Sequence, residues 1–266
     1  MKIDKNKCVG CGNCHAWCTM GVIYVDTDGK STVNEEDCVE CSNCYRSLRN
    51  GKKNPMLVRS LRKTLKLVHL MYDPPIDECP TGALTPPELE WPRVLRAQFS
   101  DPLVVHPSTG VGGRGTEEIK TNDVTNRLKL GDVGFVVELG RPGLGARFYD
   151  VQKVAMALAG LGVSFEAKNP VTVLMTSTET GEIRPDVLNE KVMSCIIELK
   201  APMALTPRIL ETLKKVAPEI ETVMSVGIGT RCGPDGSLAY EPLVREAGFT
   251  LSLNGKTSLG MGRLVP

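Results

Sequence analysis

From about Val133 onward, runs of aliphatic and β-branched residues alternate with stretches spaced for a helix. Val133–Leu139, about Arg147–Leu161 and Val163–Ala167 read as strand, helix, strand. Val192–Leu199, about Pro207–Ala217 and Thr222–Ile228 repeat that order. Two β–α–β passages in tandem predict an α+β sandwich, with an open α/β sheet as the alternative; only two strong helical patterns are visible, which favours the former. The first third of the chain is patterned differently. Val22 to Val25 is β-branched and aromatic, Thr27-Asp28-Gly29 is a turn, and Ser31 to Val33 can pair back as a hairpin. Further on, Leu57, Leu61, Leu65 and Val68 share one helical face, predicting an amphipathic helix from about Met56 to Met71. Pro86, Pro87 and Pro92 bracket a linker, so the expected domains are 1–87 and 88–266.

A chain of 266 residues has room for both domains, and 41% hydrophobic with 24% charged residues is the balance of a globular protein. Thirty-two basic and 31 acidic side chains give a net charge of +1, which argues against a generally basic nucleic-acid binder. No apolar run approaches the roughly 20 residues of a membrane span. The charged start, MKIDKNKCVG, lacks an apolar signal core, so the expected location is cytoplasmic. The average hides segregation. Residues 1–44 carry four Lys/Arg and seven Asp/Glu, whereas residues 45–72 carry eight basic side chains and no acid.

Cysteine changes the picture most. There are ten, eight of them in the first third of the chain. Cys8-Val-Gly-Cys11-Gly-Asn-Cys14 returns as Cys38-Val-Glu-Cys41-Ser-Asn-Cys44, 30 residues later, with five of seven positions identical. That is a duplicated module rather than a solenoid. With Cys18, the first copy makes C-x2-C-x2-C-x3-C, the run that binds [4Fe–4S] clusters; its fourth cysteine turns away and ligates the other cluster. The second copy finds its fourth member only at Cys79, beyond a basic helical insertion at 45–78. By the crossed rule, cluster I takes Cys8, Cys11, Cys14 and Cys79, and cluster II takes Cys18, Cys38, Cys41 and Cys44. Zinc favours two CxxC pairs or Cys/His mixtures. Cys11-Gly-Asn-Cys14-His15 also matches a haem-attachment pattern, but inside a longer cysteine series. Cys195, within an apolar run, reads as a buried small hydrophobe, whereas Cys232 follows a Gly-rich strand end.

On these motifs and the ending Cys79-Pro-Thr-Gly-Ala-Leu84, residues 1–87 resemble the two-[4Fe–4S] bacterial ferredoxins. The departures are Thr19 where proline is usual, and the long insertion. The fold expected is therefore a dicluster ferredoxin domain followed by an α+β sandwich of βαβ units, of ferredoxin-like topology.

The second domain offers weaker chemistry. Ser108-Thr-Gly-Val-Gly-Gly-Arg-Gly-Thr116 could cradle an anion or a flavin through Gly110, Gly112, Gly113 and Arg114, although a structural glycine loop is the plainer reading. Arg141 and Arg147 flank a Gly-rich strand-to-helix turn and could bind a carboxylate or phosphate. His106, Glu117 and Lys120 are candidate proton donors. Residues 92–180, in the string PRVLRAQFSDPLVVHPSTGVGGRGTEEIKTNDVTNRLKLGDVGFVVELGRPG, resemble the 6-hydroxynicotinate reductase family. The resemblance implies ferredoxin-dependent reduction of a heteroaromatic acid, a flavin as further cofactor, and chains longer than this one.

Three functions compete: an oxidoreductase acting on a small aromatic acid, a non-catalytic electron-transfer subunit, and a redox-linked sensor. The first two imply a redox partner, a ferredoxin or a catalytic subunit, docking on the basic segment 45–72. Nucleic acid is not an expected partner.

Overall fold

The protein is described by a computed structural model covering residues 1–110, 127–141 and 143–252. It divides into two compact units, Met1–Asp101 and Pro102–Pro266. The boundary lies beyond the prolines at 86, 87 and 92 rather than among them. The reason is the helix Val94–Ser100, which buries Leu95, Ala97 and Phe99. Its Arg96 donates to the carbonyls of Glu35, Glu36 and Cys38 at 2.8–3.0 Å. Arg93, just ahead of it, is paired with Glu40, and Asp101, just after it, with Arg46. These ties make residues 88–101 part of the first unit.

In the first unit the expected hairpin is present. Ile23–Val25 pairs antiparallel with Ser31–Val33, and Gly29 N closes the turn on the Asp26 carbonyl at 2.9 Å. Lys2–Ile3 pairs with Leu84–Thr85, and Arg49–Asn50 runs parallel to Glu78–Cys79. The sequence repeat is a structural repeat. Cys8 N donates to the Asp4 carbonyl at 2.8 Å and Cys38 N to that of Asn34 at 3.1 Å. Each loop then needs two left-handed residues. The first copy uses Gly10 (φ 69°) and Gly12 (φ 85°); the second forces Glu40 (φ 53°) and Ser42 (φ 56°) into the same conformation.

The basic insertion forms the helix Pro55–Leu67. Asn54 caps it, its side chain accepting from Met56 N and Leu57 N, with Pro55 in the first turn, where a missing N–H costs nothing. Its docking is not the one its apolar stripe suggests. Only Val58 is buried, while Leu57, Leu61 and Val68 are 70%, 46% and 59% exposed. Arginines face inward instead. Arg59 donates to the carbonyls of Lys5, Asn6 and Cys8, and Arg62 to that of Val9. The first cysteine loop presents outward-turned carbonyls, and guanidinium groups, with several N–H donors each, satisfy them better than leucines could.

The second unit is α+β. Its four-stranded sheet, beside two short two-stranded pairs, is antiparallel throughout, and in chain order its strands are Asp132–Leu139, Ser164–Phe165, Cys195–Pro202 and Met224–Gly229. Across the sheet they stand fourth, first, third, second. The helices Phe148–Ala159 and Thr206–Val216 follow the first and third strands. One face of the sheet carries Val133, Phe135, Val137 and Leu139, all fully buried. The same face carries Ile197 and Leu199, set opposite Val137 and Phe135 by the register. The inward stripes of the helices are Phe148, Val151, Val154, Leu158, Ile209 and Leu213. Each such side chain contributes about 1.5–3 kcal/mol, which makes this the core of the unit. The opposite face carries charge. Arg127 pairs with Glu166 and, at 2.5 Å, with buried Glu198. Burial opposes the Arg127 charge, but the two carboxylates outweigh it and its pKa is raised. No helix among the described residues is long and apolar enough to cross a membrane.

Candidate metal centre

The eight N-terminal cysteines stand in two groups of four. Cys8, Cys11, Cys14 and Cys79 line one cavity, walled mainly by Ile3, Val9, Leu48, Ala83 and Leu84. Cys18, Cys38, Cys41 and Cys44 line a second, walled mainly by Met20, Val22, Ile23, Val33 and Val39. The grouping is crossed: Cys79 stands with the 8–14 loop, and Cys18 with the 38–44 loop.

Local structure explains the placement. Two tight turns per loop, made by the left-handed residues, point three thiols of each loop at one space. The short helices Asn13–Ala16 and Asn43–Arg46 each carry the third thiol, Cys14 or Cys44, on their buried side. Past the first of these helices the chain comes round to the second cavity at Cys18. The fourth thiols have matching surroundings: Cys18 Sγ accepts from Val22 N at 3.3 Å, and Cys79 Sγ from Ala83 N at 3.2 Å.

Burial in these apolar spaces makes the bare thiolates costly. It pushes Cys14 up to about 11, with the neighbouring thiols adding to the effect and a hydrogen bond from Ser31 opposing it. It pushes Cys44 up to about 12, again reinforced by the other thiols of its group. Cys11 and Cys38 are raised for the same first reason. Thiols in this state become ligands by giving their protons up to a metal, so binding is coupled to proton release. Four soft donors around an apolar space, with N–H groups aimed at the sulfurs, fit an iron–sulfur cluster. Zinc would draw thiolates to about 2.3 Å from one point. Among the described residues no group of three or more His, Cys, Asp or Glu side chains could hold a single metal ion.

Several neighbours of these centres escaped the sequence reading. Ser31 lies on the wall of the first cavity, and its hydroxyl is 3.0 Å from His15 Nε2. Glu40 is buried beside the second, its carboxylate held by Arg93 and the amino group of Met1. Burial opposes its charge, but these cations prevail and its pKa is lowered. Repeat position was the available signal: Glu40 stands where the first copy has Gly10.

Among the described residues, the candidates of the second unit form no comparable constellation. His106 is buried, its Nδ1 facing the Ser108 hydroxyl at 2.9 Å, and its carbonyl accepts from Gly110 N. His106 and Gly110 thus share one turn. Gly112, Gly113, Arg114, Glu117 and Lys120 lie outside the described residues. Arg141 is bonded to Glu138 and Ser194 at 3.4 Å, and Arg147 to the Asn189 carbonyl at 2.8 Å. Cys195 is fully buried, which pushes its thiol up to about 12 and suits a core residue. No family model matches the chain, and no curated protein or solved structure is significantly similar to it.

Proposed function

We propose that the chain is an iron–sulfur electron-transfer protein, with residues 1–101 a dicluster ferredoxin domain. Cys8, Cys11, Cys14 and Cys79 would hold one [4Fe–4S] cluster, and Cys18, Cys38, Cys41 and Cys44 the other. The observation that carries this reading is the convergence of eight thiols, four and four, on two apolar cavities across a 30-residue repeat. Bound there, all-thiolate clusters supply one-electron chemistry at low potential. The chain's own part is to keep water from the sulfurs with apolar walls, and to bring the Val22 and Ala83 amides onto Cys18 and Cys79.

For the second unit we favour the split β–α–β, ferredoxin-like reading, supported by its strand order and antiparallel neighbours. An oxidoreductase would use it to reduce a heteroaromatic acid such as 6-hydroxynicotinate, with a flavin as an added carrier. The other reading, an electron-transfer subunit, draws on Arg141 and Arg147 being already bonded to Glu138, Ser194 and the Asn189 carbonyl rather than presented to a ligand. In either case the partner is an acidic redox protein at the basic segment 45–72. There Lys52, Lys63 and Lys66 are exposed, and no carboxylate among the described residues pairs with them.

The test is anaerobic iron, sulfide and flavin analysis of the purified chain. About eight irons and eight sulfides per chain are expected; one tightly bound zinc in their place would refute the proposal. Released flavin would favour the reductase, and its absence the subunit.

A further inference from the structure

The two cysteine loops carry asparagine at equivalent places, Asn13 and Asn43. Each carboxamide reaches out of its own loop to the main chain directly ahead of a fourth cysteine. Asn13 Nδ2 donates to the Glu78 carbonyl at 2.9 Å and to the Pro75 carbonyl at 2.7 Å. Asn43 Nδ2 donates to the Trp17 carbonyl at 3.0 Å and to the Thr19 hydroxyl oxygen at 3.3 Å. Glu78 precedes Cys79, and Trp17 precedes Cys18. The two tethered segments then turn alike. Gly21 N donates to the Cys18 carbonyl at 3.0 Å and Gly82 N to the Cys79 carbonyl at 3.1 Å. Gly21 and Gly82 are both left-handed, with φ of 65° and 58°.

The need for such a tie follows from where the thiols come from. Three of each group sit on one tight loop and cannot separate. The fourth arrives from a distant part of the chain, and only contacts between segments keep it in place. We propose that Asn13 and Asn43 are positioning residues, each clamping the fourth thiol of its own centre, Cys79 or Cys18, against the three thiols of its loop. This rests on the two-cluster reading above. Without the clamp the fourth thiolate leaves its iron and takes up a proton, and that one iron becomes open to removal.

The experiment uses the full-length chain, purified anaerobically, as wild type, Asn13→Ala and Asn43→Ala, with Cys79→Ser and Cys18→Ser as references. Each is treated with ferricyanide. The oxidant takes one electron as one ferrous ion leaves, converting EPR-silent [4Fe–4S]2+ into EPR-active [3Fe–4S]+. We expect each alanine variant to release one iron at least tenfold faster than wild type. The three-iron spectrum of Asn13→Ala should match that of Cys79→Ser, and that of Asn43→Ala should match Cys18→Ser. Wild-type release rates, or equal loss from both centres in either variant, would overturn the proposal, because a merely structural role has no reason to select one centre. If the alanine chains fail to accumulate, Asn13→Gln and Asn43→Gln, which keep the amide on a longer arm, must show the same selectivity in weaker form. A wild-type chain without about eight irons refutes the two-cluster reading itself, before either asparagine is in question.

Discussion

Replacing Gly10 or Gly12 by alanine separates backbone strain from collision within one loop. Both residues are left-handed, at φ 69° and 85°. Any L-residue there costs about 1–2 kcal/mol. At Gly12 an added Cβ meets nothing within 4 Å, so that cost stands alone. At Gly10 the Cβ would lie 2.2 Å from the Gly29 carbonyl oxygen. Gly29 cannot retreat freely, because its N–H closes the hairpin turn on Asp26 at 2.9 Å. Forcing a methyl group into filled space adds about 1–3 kcal/mol, so Gly10→Ala should cost about 2–5 kcal/mol in all. Stripping of iron by a chelator under anaerobic conditions reports loop opening. Since about 1.4 kcal/mol is tenfold, the extra collision at Gly10 should make Gly10→Ala lose iron roughly 5- to 150-fold faster than Gly12→Ala. Equal rates, or a faster Gly12→Ala, would refute the reasoning.

Three further outcomes follow from particular contacts. Ser31→Ala removes a hydroxyl from the wall of the first cavity that favours the charged form of the Cys14 sulfur. Loss of about 1 kcal/mol of sulfur stabilisation should lower the potential of that centre by roughly 40 mV in an EPR-monitored titration, and a rise would count against the assignment. His106 is held below its usual pKa of 6.5 by burial, so the unfolded chain protonates first as pH falls. Stability of the second unit should therefore be flat above about pH 6.5 and decline below it, by at most about 1.4 kcal/mol per pH unit. Urea unfolding at several pH values checks this, and His106→Gln should flatten the decline. Arg93→Met removes one of the two cations that hold the buried Glu40 carboxylate and should cost about 2 kcal/mol, near 10 °C in the melting of a unit of this size. Adding Glu40→Gln should restore part of the loss, and no recovery in the double variant would show that the charge was not the cause.

Much of the order of elements was legible because the hydrophobic period is local information. The hairpin around Gly29, the helix near residues 55–67 and the alternating strands and helices after Val133 all lie close to where their patterns place them. Docking was not legible, because it depends on what an element meets. The leucines of the basic helix mark a face that stays exposed, since Arg59 and Arg62 have main-chain carbonyls to satisfy. The end of the first unit was misplaced for a related reason. Prolines mark where helices stop, but ties such as Arg96 to the Cys38 carbonyl decide which segments stay together.

The candidate centres were legible to different depths for a physical reason as well. Thiol positions recur at fixed spacing, because three ligands on one loop allow few backbone paths. The fourth ligands leave a fainter trace, yet one is present: Cys18-Thr-Met-Gly21 and Cys79-Pro-Thr-Gly82 share a cysteine and a left-handed glycine three residues on. That shared turn aims an amide at each remote sulfur, and Asn13 and Asn43 reach back to the residue ahead of it. The duplication thus extends past the cysteines to the parts that bring distant chain together. Only the insertion between Cys44 and Cys79 hides it, and a helix held by arginine rather than leucine can lengthen that connection without altering either set of four thiols.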